Sequence, residues 1–148
     1  MQKQKNLSKN LLYRKFLGIL IKKGKVTKAK KILDTSLFTV SKKLKMPINY
    51  VLTKVFYKLN TFVETKKITA KRKTNIVPFP ISFSRRIYLI LKWILLAVQL
   101  NKSRVPMNSK LSVELYKVVK NMPSDALRAK KQNNSQAYLN KSNIHFRW

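Results

Sequence analysis

Apolar residues over the first sixty positions recur at steps of three and four, and most polar residues between them are cationic. Leu12, Phe16, Ile19 and Leu20 predict a helix over 10–23, with Gly24 as the left-handed residue that ends it. Thr27 is expected to cap a second helix, whose apolar positions are Ile32, Leu33, Leu37, Val40 and Leu44. Met46-Pro47 breaks that pattern, and Pro47 suits the first position of a third helix containing Tyr50, Val51, Lys54, Val55, Lys58 and Leu59. From Phe62 the period changes. Two stretches rich in β-branched and aromatic residues, 62–69 and 75–83, flank a basic 70–74 and predict a projecting hairpin. Pro78 and Pro80 forbid a central strand but suit a two-stranded ribbon. Ser84 is expected to cap a fourth helix reaching Leu100, and Asn108 or Ser109 a fifth with Leu111, Leu115, Val118 and Val119. After Met122-Pro123-Ser124 the chain is polar and its periodicity weak.

This pattern implies an all-α class: one helical domain of five to six helices over 10–148, with a two-stranded β-ribbon at about 62–83 and a basic arm over 1–9. The apolar run Ile87 to Leu100 is 14 residues long and contains Lys92, short of the roughly 20 needed to span a bilayer. It predicts a buried helix, with Trp93 in the core. The basic start MQKQKNLSKN lacks Arg and has no apolar signal core after it, so no targeting segment is expected.

Composition then narrows the chemistry. Thirty-four Lys and Arg face four Asp and Glu in 148 residues, a formal charge of +30, while 45% of residues are hydrophobic. The chain has globular apolar content and about one uncompensated cation per five residues, which opposes compaction unless a polyanion is bound. With no Cys, one His, two Gly and four scattered acids, there are too few parts for thiolate, zinc, carboxylate-pair or phosphate-loop chemistry. Neither an enzyme nor a bound metal or cofactor is expected. His145 has no acid or nucleophile next to it in sequence, so packing or RNA contact is the expected role.

Closely spaced phosphates are the natural partner of such a surface, and a basic hairpin tip favours folded RNA over a sequence-read duplex. The candidate contacts are Lys3, Lys5 and Lys9 on the arm, then Lys15, Lys22, Lys23, Lys25 and Lys28 around the first helix end. Lys71, Arg72 and Lys73 form the tip. Arg85 and Arg86 open a helix, where the dipole disfavours cations and a phosphate would compensate. Lys102, Arg104, Lys130, Lys131 and Arg147 complete the set. Charge alone leaves an RNA chaperone, a histone-like protein and a ribosomal protein in play. The alternative class is a cationic peripheral membrane protein inserting Ile87 to Leu100.

Particular residues narrow the choice. The ending His145-Phe146-Arg147-Trp148, with Asn140-Lys141 before it, resembles the H-Y-R-W terminus of the bacterial S-seven family of small-subunit ribosomal proteins. Lys15-Phe16, Gly24-Lys25, Val63-Glu64, Val77-Pro78, Arg85-Arg86 with Lys92-Trp93, Met107, Leu111, Glu114-Leu115 and Lys130-Lys131 match in order and spacing. The resemblance covers about residues 10–148. It implies a helical domain with a β-ribbon that binds the 3′ major domain of small-subunit rRNA, helps assemble the subunit head among neighbouring head proteins, and lies near exit-site tRNA and mRNA.

Where the family has a Gly-Gly ribbon turn this chain has Lys71-Arg72, which disfavours positive φ and predicts a tip that is wider, or disordered without RNA. The stretch 132–139 is shorter than the family's, so an altered last helix is expected. Trp148 is read equally as packing or stacking. Lys far outnumbers Arg and Asn is abundant, as an AT-rich genome gives, and this fits an organelle-made protein of the mitochondrial matrix, with a plastid or a bacterial cytoplasm as alternatives.

Overall fold

The computed structural model describes residues 10–70 and 73–147. Six α-helices follow one another in these residues: α1 (Leu11–Leu20), α2 (Val26–Leu44), α3 (Ile48–Leu59), α4 (Phe83–Leu100), α5 (Met107–Lys120) and α6 (Asp125–Leu139). An antiparallel ribbon of β1 (Val63–Ala70) and β2 (Lys73–Pro80) separates α3 from α4, and a 3-10 segment, Lys141–Arg147, follows α6. The predicted helical class with a ribbon is what the chain adopts. Residues 1–9, 71, 72 and 148 lie outside the described residues, and with them the predicted arm and most of the tip.

The core forms where apolar stripes converge. Phe16 of α1, Leu33, Leu37 and Val40 of α2, Val51 and Leu59 of α3 and Leu111 and Leu115 of α5 are essentially inaccessible. They share one core with α4, which buries Ile87, Leu89, Ile90, Leu91, Trp93, Ile94, Ala97 and Val98. Helix α4 buries this much because both flanks of its helical wheel are apolar, while Arg85, Tyr88, Lys92 and Leu96 keep one face at the surface. That counts against the membrane alternative, since eight residues of the helix it would insert are already buried inside the fold. Among the described residues, no helix is long and apolar enough to cross a membrane.

Several expected boundaries shift. Helix α1 ends at Leu20, not Lys23, because Ile21 turns extended while its N–H still donates to the Leu17 carbonyl. Gly24 is left-handed (φ 70°), but so is Lys23 (φ 50°), so the glycine shapes the α1–α2 turn rather than ending the helix. Helix α2 starts at Val26, so Lys25 and not Thr27 occupies the cap position, without a side-chain cap bond. Pro47 is the cap of α3 rather than its first residue, so that helix starts one residue later than expected, while Ser82 and Pro106 cap α4 and α5 two residues or more before the expected Ser84 and Asn108 or Ser109. Phe83 belongs to α4 instead of the second strand.

Pairing runs further along the ribbon than expected, from Val63 opposite Pro80 to Ala70 opposite Lys73, and the turn at 71 and 72 lies outside the described residues. Its phase explains the prolines. Ile81 N–H donates to the Phe62 carbonyl, so Val63–Pro80, Thr65–Pro78 and Lys67–Ile76 alternate into non-hydrogen-bonded pairs. Main-chain groups there point away from the partner strand, and a missing proline N–H costs the ladder nothing.

The polar end of the chain is ordered by hydrogen bonds rather than apolar periodicity. In α6 only Ala126 is fully buried. Ser124 caps it by accepting from the Leu127 N–H, and buried Glu114 of α5 accepts from the Ala126 N–H at 3.2 Å. A carboxylate at the positive end of the α6 dipole is favourably placed. Asn133 Nδ2 donates to the outward carbonyl of Val63 at 2.8 Å, and Thr61 donates to Asn134 Oδ1 at 2.9 Å, which fixes the ribbon base beside α6.

Candidate nucleic-acid interface

All four acids already have partners within the fold. Asp34 accepts from the Tyr13 hydroxyl at 2.6 Å, and burial together with that carboxylate pushes the Tyr13 phenol well above its usual range. Glu64 takes both arms of Arg85. Glu114 serves the start of α6, and Asp125 lies 3.8 Å from Arg128 across an exposed pair that contributes little. Among the described residues, only Arg85 and Arg128 form ion pairs. The surface lysines therefore face solvent with their charge uncompensated.

One face gathers several of them. Lys22 in the α1–α2 turn, Lys25 and Lys28 at the start of α2, and Lys92 on α4 rim a groove of about 350 Å³. Its floor includes Leu20, Ile32, Leu95, Leu96 and Met107, with half-exposed Tyr88 on its wall and no acid in its lining. The left-handed Lys23–Gly24 pair makes this possible, because it folds α1 back into α2 within five residues and brings Lys22 beside Lys25. The four ammonium groups can meet successive phosphates, and Tyr88 offers a ring at the same surface. Lys92 is missing from the sequence-derived set. The signal was available: Arg85, Tyr88 and Lys92 share one helical face at steps of three and four.

A second, open cleft of about 750 Å³ at the α5–α6 turn collects Lys117, Arg128, Lys130 and Lys131. Lys131 is exposed there. Lys130 turns inward, its Nζ donating to the Lys58 carbonyl in the last turn of α3 at 2.7 Å. Burial, with Lys58 nearby, lowers its pKa from the ordinary lysine value.

The remaining predicted cations divide in the same way. Lys15, Lys23, Lys73, Lys102 and Arg104 are exposed, but outside the groove. Arg85 binds Glu64 and lies 5.2 Å from the Tyr88 ring centroid, while Arg86 stacks over Phe62 at 4.2 Å. Hydrogen bonding from Arg85 holds the Glu64 carboxyl below its ordinary range against the opposing effect of burial. Arg147 donates Nε and Nη2 to the Pro78 carbonyl at 3.0 and 2.7 Å, with its guanidinium 5.7 Å from the Phe79 ring centroid. Trp93 is in the core and His145 is exposed. Lys3, Lys5, Lys9, Lys71 and Arg72 lie outside the described residues.

The chain is similar to known proteins over most of its length. The chain is 29% identical over 134 residues to the small ribosomal subunit protein uS7 of Wigglesworthia glossinidia brevipalpis, covering 90% of this chain and 85% of that protein. It is 27% identical over 139 residues to the uS7 of Kosmotoga olearia, covering 94% and 88% of the two chains. Against the uS7 of Acidithiobacillus ferrooxidans, identity is 26% over 134 residues, covering 90% and 85%. The family described as Ribosomal protein S7p/S5e matches residues 1–141, and on that match over nearly the whole sequence the chain belongs to this family.

Proposed function

We propose that this chain is a structural protein of the small ribosomal subunit that binds the 3′ major domain of its rRNA and helps fold the subunit head. The groove carries the reading: four lysines from three segments face outward with no acid beside them, in a member of a ribosomal protein family. In this reading the groove lysines hold the phosphate backbone, and Lys131, Lys102 and Arg104 extend the contact along the surface. The basic ribbon tip, Lys71 to Lys73, reaches towards the exit-site tRNA and the mRNA path, and neighbouring head proteins cover surface that RNA does not. Arg85, Arg86, Lys130 and Arg147 chiefly hold the fold in shape for this contact. The lysine- and asparagine-rich composition supports work in the mitochondrial matrix.

Binding to separate transcripts of the 3′ major and 5′ domains tests the assignment. Tight, saturable binding to the first, with at least tenfold weaker binding to the second at the same salt, supports it. Equal affinity for both would reduce the chain to a general polycation. Sedimentation of lysate gives an independent check: release from heavy particles by RNase or high salt is expected, and co-fractionation with lipid after RNase would overturn it.

A further inference from the structure

We propose that Asn143 and Arg147 are positioning residues that latch the ribbon, so that the last turn of the chain sets the direction in which the tip points. The proposal rests on the reading of the ribbon tip as an RNA contact.

The argument starts from register. Ile76 and Pro78 occupy non-hydrogen-bonded positions of β2, so their carbonyls point out of the ribbon. Pro78 and Pro80 have no N–H, which leaves this stretch of edge with acceptors and few donors. The 3-10 segment presents groups that can only donate, or that donate here. Asn143 Nδ2 bonds the Ile76 carbonyl at 3.1 Å, and the Arg147 guanidinium bonds the Pro78 carbonyl through two nitrogens. Asn143 is itself held by the Asn140 side chain, and Phe79 lies between Arg147 and Lys66 as a cation–π partner of both. On the opposite edge Asn133 takes the Val63 carbonyl. A two-stranded ribbon is only marginally stable by itself, so these clamps hold its base while the outer pairs, Ile68–Asn75 to Ala70–Lys73, extend beyond them.

The test uses the full chain and the double variant Asn143→Ala/Arg147→Ala, free at moderate salt and bound to the 3′ major-domain transcript. Hydrogen exchange of the β1 and β2 amides in the free protein is expected to quicken roughly tenfold, with α2, α4 and α5 unchanged. Arg147→Lys alone is expected to restore part of the protection. Unchanged ribbon exchange in the double variant would overturn the latch. In the complex, a hydroxyl-radical probe on Lys73→Cys is expected to cleave a focused set of nucleotides in the parent and a spread set in the double variant. Quickened exchange with no cleavage from the parent probe would uphold the latch and overturn the RNA contact of the tip instead.

Discussion

Arg85 grips Glu64 with two parallel arms, Nε to Oε2 at 2.9 Å and Nη2 to Oε1 at 2.6 Å, and so ties the first turn of α4 to the base of β1. The bidentate geometry makes it the stronger of the two ion pairs among the described residues, although Arg85 is 45% exposed and solvent screens part of the gain.

Glu64→Gln is therefore expected to cost about 1 kcal/mol at pH 7 in urea unfolding. The Glu64 pKa lies below its ordinary 4.5 in the folded chain, so between those values the unfolded chain binds more protons. The contribution is fully present above the unfolded value and disappears as pH falls through the lowered one. The gap between parent and variant should close on that descent. A gap of equal size at pH 7 and at about pH 3 would show that the ion pair is not its source.

Replacing Lys22, Lys25, Lys28 and Lys92 together by Ala should weaken binding to the 3′ major-domain transcript and flatten its salt dependence. With about eight phosphate contacts, the parent log–log slope is expected near −6 to −7, and the variant's should be smaller by roughly 3. Removing the same charge from Lys42, Lys43, Lys45 and Lys54, outside the groove, is the control. Equal losses in the two variants would mean that net charge, not the groove, drives affinity.

The tip has its own experiment. Lys71→Ala/Arg72→Ala/Lys73→Ala should lower rRNA affinity and leave the helical circular dichroism intact. Affinity equal to the parent's would show that the tip is not an anchor.

Glu114→Ala is expected to destabilise the fold by about 2 kcal/mol, because it strands the buried Ala126 N–H and removes a carboxylate from the α6 dipole. The urea midpoint should drop while the slope of the transition stays the same. A midpoint within error of the parent's would argue that water replaces the carboxylate at no cost.

Helices α1 to α5 were legible because their stripes are apolar against lysine, the strongest contrast a sequence offers. Their ends were less so: Lys25, Pro47, Ser82 and Pro106 make no side-chain cap bond, so no capping residue marks the boundary. Helix α6 shows only weak periodicity, and the sequence resemblance alone points to a last helix there, because its partners are the carbonyls of Lys58 and Val63, more than sixty residues away. Such bonds leave no periodic trace. Nor can a basic sequence show which cations turn inward. Lys130 and Arg147 have the same composition signal as Lys22 and Lys25, and only the packed chain separates the two inner residues from the two at the rim.

The prolines of β2 also bear on the time before the protein meets its partner. An exposed two-stranded finger invites another copy to zip alongside it, the first step of fibrillar stacking. Here the vulnerable flank offers no amide hydrogen at Pro78 or Pro80, and its carbonyls at Ile76 and Pro78 are already occupied. A newly made chain can therefore wait for assembly without that flank becoming a template for its siblings.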